Sequence, residues 1–120
     1  MRRLIFIIVF LCLGLASQAQ VFYSNDLTNQ ANTKIISGYI KITVDTDKEM
    51  VYVDRPNMKV CFKLIDAQIK QENGFITITY VIEGVRNLRY IFYIVGDKDS
   101  MAIIFPEFDI IGQHAKAEKL

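Results

Sequence analysis

From residue 35 onward apolar and polar residues alternate with a period of two, and no helical period of any length interrupts them. "GYIKITV" sets Ile40, Ile42 and Val44 against Tyr39, Lys41 and Thr43, the pattern of a half-buried strand. "EMVYVD" follows a short polar turn. "MKVCFKL" then places Met58, Val60, Phe62 and Leu64 on one face and Lys59, Cys61 and Lys63 on the other. Pro56 lies between these two runs and marks a turn or an edge, because it cannot donate to a ladder.

"IKQENGFITITYVI" carries the clearest local signal. Asn73-Gly74 supplies two residues that tolerate positive φ in a type I′ turn, and the alternation resumes at once. Ile76, Ile78, Tyr80 and Ile82 face one way, Thr77 and Thr79 the other. After "EGVRN" breaks the chain, "LRYIFYIV" is apolar or aromatic on both faces, which predicts a strand covered on both sides. "GDKDS" turns again, and "MAIIF" is a last strand before Pro106.

The expectation is therefore an all-β domain. About six strands joined by short turns form a single small antiparallel meander over residues 35–106. Such a meander closes as a small barrel or folds as a two-layer sandwich. Residues 20–34, polar around Val21-Phe22-Tyr23, are expected as an edge strand or loop. Residues 107–120 have helix-forming residues but few apolar ones, and are expected as a flexible tail.

The first residues change the compartment. Arg2 and Arg3 precede twelve apolar residues, Leu4 to Leu15, and Ser17 and Ala19 are small residues at an exit. That is the layout of a signal peptide, residues 1–19, cleaved after Ala19; a membrane span needs roughly 20 apolar residues. Cys12 follows Phe10 and Leu11 and so lacks the small neighbour a lipidated cysteine needs. A secreted or periplasmic location follows, with no membrane attachment after cleavage. The 101 residues that remain suit one domain. Loss of two arginines leaves 12 basic residues against 13 acids, so nucleic acid is not an expected partner.

Export also isolates Cys61. With Cys12 removed it has no intramolecular partner, which leaves burial, an intermolecular disulfide in a homodimer, or a reactive thiol. Lys59 and Lys63 on its face would favour the thiolate, yet no histidine lies near it in the chain.

Other candidate chemistry is thin. Asp45, Asp47 and Glu49 in "VDTDKEMVYV" are weak metal candidates. A calcium loop of the EF type needs glycine at its sixth position and glutamate at its twelfth, where this chain has Met50 and Pro56. A hairpin tip explains them, and Asp97 and Asp99 in "GDKDS" likewise. A carboxylate-based hydrolase would need acids converging in a cleft, and these two tips are the only candidates to meet. His114 is the sole histidine and lies in the expected tail. Arg86 and Arg89 are read as solvated. No nucleotide or nucleophile-elbow motif occurs, so no cofactor and no catalytic residue is assigned.

Six tyrosines are the one surplus, since their polar tips suit a wall that both packs and hydrogen-bonds. Tyr80, Tyr90, Phe92 and Tyr93 are the candidate ligand or partner surface. An exported antiparallel meander is similar to lipocalin-like barrels, a resemblance that implies an apolar ligand. The tryptophan that usually marks that family is absent, and the chain is short for eight strands, so no family is assigned. The reading is a non-enzymatic domain that binds an unknown protein partner. A barrel carrying a small apolar ligand comes second and a small hydrolase third.

Overall fold

The computed structural model describes residues 20–119; the expected signal peptide, its cleavage site and Cys12 lie outside them. Eleven strands form one antiparallel sheet curled into a half-barrel. They are β1 (Gln20–Ser24), β2 (Asp26–Thr28), β3 (Ile35–Ile36), β4 (Ile40–Asp45), β5 (Met50–Arg55), β6 (Met58–Glu72), β7 (Phe75–Glu83), β8 (Arg89–Gly96), β9 (Met101–Phe105), β10 (Ile110–Gln113) and β11 (Lys116–Lys119). Two short 3₁₀ turns, Val85–Asn87 and Pro106–Phe108, make the connections after β7 and β9. No helix among the described residues is long and apolar enough to cross a membrane.

The meander β4 to β9 follows the alternation. Asn73 (φ 52°) and Gly74 (φ 81°) both take positive φ, the requirement of a type I′ turn, and Glu72 faces Phe75 across it. Buried residues on β4 (Ile40, Ile42, Val44), β7 (Ile76, Ile78, Tyr80, Ile82) and β8 (Phe92, Ile94) all point into the curl. All of these except Ile76 belong to one hydrophobic cluster. Inside it aromatic rings follow one another: Tyr80 on Phe92 at 4.8 Å, Phe92 on Phe105 at 5.1 Å, Phe105 on Phe108 at 4.6 Å. Each such contact adds about 0.5–1.5 kcal/mol beyond the area it buries.

Four expectations need correction. The strands number eleven, not six, because both ends of the chain join the sheet. Residues 20–28 are not an edge: β1 lies between β11 and β4, and β2 lies between β10 and β3. The expected flexible tail contains β10 and β11, which pair with β9, β2 and β1. Its helix-forming residues yield because ladder partners some ninety positions away outweigh a local preference of a few tenths of a kcal/mol, about the scale of such propensities. Finally, β8 is covered on one face only. Phe92 and Ile94 are buried, whereas Ile91 on the other face is 41% exposed.

Gly112 shows why the ends fit. A Cβ there would come within 2.8 Å of the Ser24 Cβ, so the residue must be glycine for β10 to lie against the bend after β1. Ser24 donates its hydroxyl hydrogen to the Gln113 carbonyl at 2.5 Å across the same contact.

Loss of a ring from the stack should be far costlier than loss of one from the surface. Phe92→Ala is expected to destabilise the domain by about 3–5 kcal/mol, whereas Phe75→Ala, at a ring 53% exposed, should cost well under half of that. Urea denaturation followed by circular dichroism measures both.

Candidate functional site

The hairpin connections alternate between two ends of the sheet. Tips at residues 46–49, 73–74 and 97–100 share one end; turns at 56–57, 84–88 and 106–109 share the other.

At the first end each acidic tip is explained by its own backbone. The Lys48 N–H donates to Asp45 Oδ1 at 3.2 Å, and the Glu49 N–H donates to the Thr46 carbonyl at 3.3 Å. Glu49 takes φ 53°, the left-handed residue that closes the loop. Asp97 Oδ1 accepts from the N–H groups of Asp99 (2.8 Å) and Ser100 (2.9 Å). These bonds, the one from Asp99 first, hold the Asp97 carboxyl below its ordinary 3.8. Both tips fall at one end, yet no group of three His, Cys, Asp or Glu side chains among the described residues could hold a metal ion.

At the other end the rings reach the surface. Val60, Cys61 and Phe62 on β6, Gly84 and Val85, Tyr90 on β8, and Glu107 and Phe108 line an open cleft of about 220 Å³. Phe62 and Tyr90 meet edge to face at 5.8 Å and form its floor. Phe108, the outer member of the stack, is one wall. Beside it Val85 is 80% exposed and Leu88 51% exposed. In the turn that carries them the Gly84 N–H donates to the Leu88 carbonyl at 2.8 Å, and Arg86 takes φ 62°.

The expected surface is divided by the fold. Tyr80 and Phe92 are fully buried in the stack, Tyr90 is half-buried in the cleft, and Tyr93 is half-buried on the outer face. Alternation along β8 separates Tyr93 from Tyr90 and Phe92, as its period of two requires. Arg86 and Arg89 are both exposed, and Arg89 lies 3.8 Å from Glu83. Val85, Leu88 and Phe108 were not singled out from the sequence. Val85 sits in "EGVRN", a segment with no period to bury it, and an apolar residue stranded in a turn is the signal that could have found it; Leu88 was read as the start of the strand "LRYIFYIV", but β8 begins at Arg89 and leaves it in the turn.

Cys61 is exposed on the outer face of β6, opposite Tyr52. It borders the cleft just described and a second one of about 350 Å³ lined by Thr43, Tyr52, Asp54, Lys59 and Val60. Burial, one of the three fates open to it, is excluded. His114 bonds Asp26 at 2.7 Å on the β10–β2 side, with β7, β8 and β9 between it and β6, so it does not activate this thiol.

No protein-family model matches the chain, and no curated protein or solved structure does either.

Two outcomes check this geometry. The folded protein should take up one equivalent of a maleimide at Cys61 without denaturant, read by intact mass. Because the folded carboxyl of Asp97 is more acidic than the unfolded one, its contribution to stability is present above pH 3.8 and is lost as pH falls through the lower folded value. Asp97→Ala should therefore lower Tm at pH 7, and the gap from the parent should shrink as the carboxylate protonates in acid.

Proposed function

We propose that the chain is an exported, non-enzymatic β domain that binds a protein partner at the turn end of its sheet. The observation that carries this reading is the apolar rim. Val85 and Leu88 stand exposed beside a cleft floored by Phe62 and Tyr90 and walled by Phe108. Exposed apolar side chains gathered around a concavity, rather than scattered singly, suit a surface that another protein covers. Glu107 at the lip supplies one polar group for orientation.

The carrier reading is weaker because the space a small apolar ligand would fill is occupied. Tyr80, Phe92 and Phe105 are each fully buried and stack in series through the interior. For a hydrolase, Asp45 and Asp97, one acid of each tip, are tied to their own turns.

Of the two architectures open to the meander, a closed barrel is the better supported. β1 faces β11 from Gln20↔Lys119, and β2 faces β10 at Asp26↔Gln113; six residues forward on one strand match six back on the other. One register thus runs through both pairs. With β1 also on β4, pairings continue round the whole curl. Export rests on the basic, apolar and small-residue succession of residues 2–19.

A photo-crosslinking residue at Val85, expressed in the source cell, tests the reading against the same residue at Lys98 on the opposite end. A discrete heavier protein adduct from position 85, reduced by adding Leu88→Asp, is expected. No adduct, or equal adducts from both positions, would overturn the assignment, and a small molecule retained in native mass spectrometry would favour the carrier.

A further inference from the structure

β6 is fifteen residues long, far longer than its neighbour β5. β5 pairs with it only from Met58 to Lys63, and the Leu64 N–H makes a last bond to the Glu49 carbonyl at 2.8 Å. A bulge between Leu64 and Asp66 follows, after which β6 runs on, paired with β7 alone. Among the described residues no strand lies along the other side of Asp66–Lys70. This edge therefore offers backbone donors and acceptors to another strand.

The polarity of the edge follows from the hairpin. Glu72 and Phe75 flank a two-residue turn and form a hydrogen-bonded pair, so Lys70, Gln68 and Asp66 direct their backbone groups to β7. Ala67 and Ile69 direct theirs outward. The side chains of Asp66, Gln68 and Lys70 share the outer face, where Gln68 donates to Asp66 at 3.1 Å. Ile69 is half-buried against the core, so the strand is anchored rather than frayed.

We infer that this edge pairs with the same edge of a second copy of the chain, antiparallel, about a two-fold axis at Gln68. That register sets Ala67 opposite Ile69, the outward-bonding residues, so the exposed N–H and carbonyl groups meet. It also sets Asp66 opposite Lys70 in both halves, two attractive cross-strand pairs generated by one symmetry operation. A register centred one residue later, at Ile69, would oppose Asp66 to Glu72 twice and is disfavoured. The edge is self-complementary in charge and in hydrogen bonding, which singles out a second copy over an unrelated strand.

Sedimentation equilibrium of the protein in reductant, which removes any Cys61 disulfide, reads the association. Twice the chain mass at high concentration is expected. Asp66→Lys should weaken the dimer by about tenfold or more at low salt, as should Lys70→Asp, because each turns both attractive pairs into like-charge pairs. The double variant D66K/K70D should restore it. Ala67→Pro removes an outward N–H without touching the β7 ladder and should leave a folded monomer by circular dichroism. A monomer at all concentrations would overturn the inference, and so would a dimer indifferent to these single changes or one that the double variant fails to rescue. A monomer here would leave the crosslinking at Val85 unaffected, so the two readings fail separately.

Discussion

Ser24 marks the bend at which one stretch of chain changes partners. Before it, β1 pairs with β4 and β11; after it, β2 pairs with β10 and β3. The hydroxyl of Ser24 is bonded to the Gln113 carbonyl, and Gly112 gives it room. Every local hairpin from β4 to β9 could form without this contact. Residues near the N-terminus join both ends of that meander to the half-barrel: β1 pairs with β4, and β2 pairs with β10, which lies on β9.

Curvature in turn decides what is core. A flat meander would have left the aromatic residues of β7, β8 and β9 on a surface. Curled, the sheet stacks Tyr80, Phe92 and Phe105 along its interior and delivers Phe108 to the mouth. The same stack that stabilises the domain fills the place of an enclosed ligand, so the free apolar surface is pushed outward to the turn at Val85–Leu88. The buried core and the candidate site thus use adjacent members of one ring series.

Much of the meander was legible in the sequence. Alternation over Ile40–Val44 and Ile76–Ile82 gave faces that match the burial, and Asn73-Gly74 carried its own turn geometry. The excursions came where partners are distant. "VFYSNDLT" and "IIGQHAKAEK" are short, polar in places and weakly patterned, and pairing with each other and with β3, β4 and β9 makes them strands. The aromatic surface was similarly half legible: a period of two could say that Tyr90 and Phe92 share a face, but not that Phe92 would be sealed under Phe105 while Tyr90 reached the rim.

By itself the sequence determined the class of fold, the hairpins and their tips, and the absence of a calcium-loop ligand order at Asp45–Glu49. These depend on neighbours a few residues apart, where alternation and turn chemistry act directly. Tertiary structure alone decided the curl, the burial of Tyr80 and Phe92, the exposure of Cys61 and the gathering of Val85, Tyr90 and Phe108 at one cleft. Each depends on which strands meet after the ends of the chain have paired, and a local pattern carries no information about a partner ninety residues away.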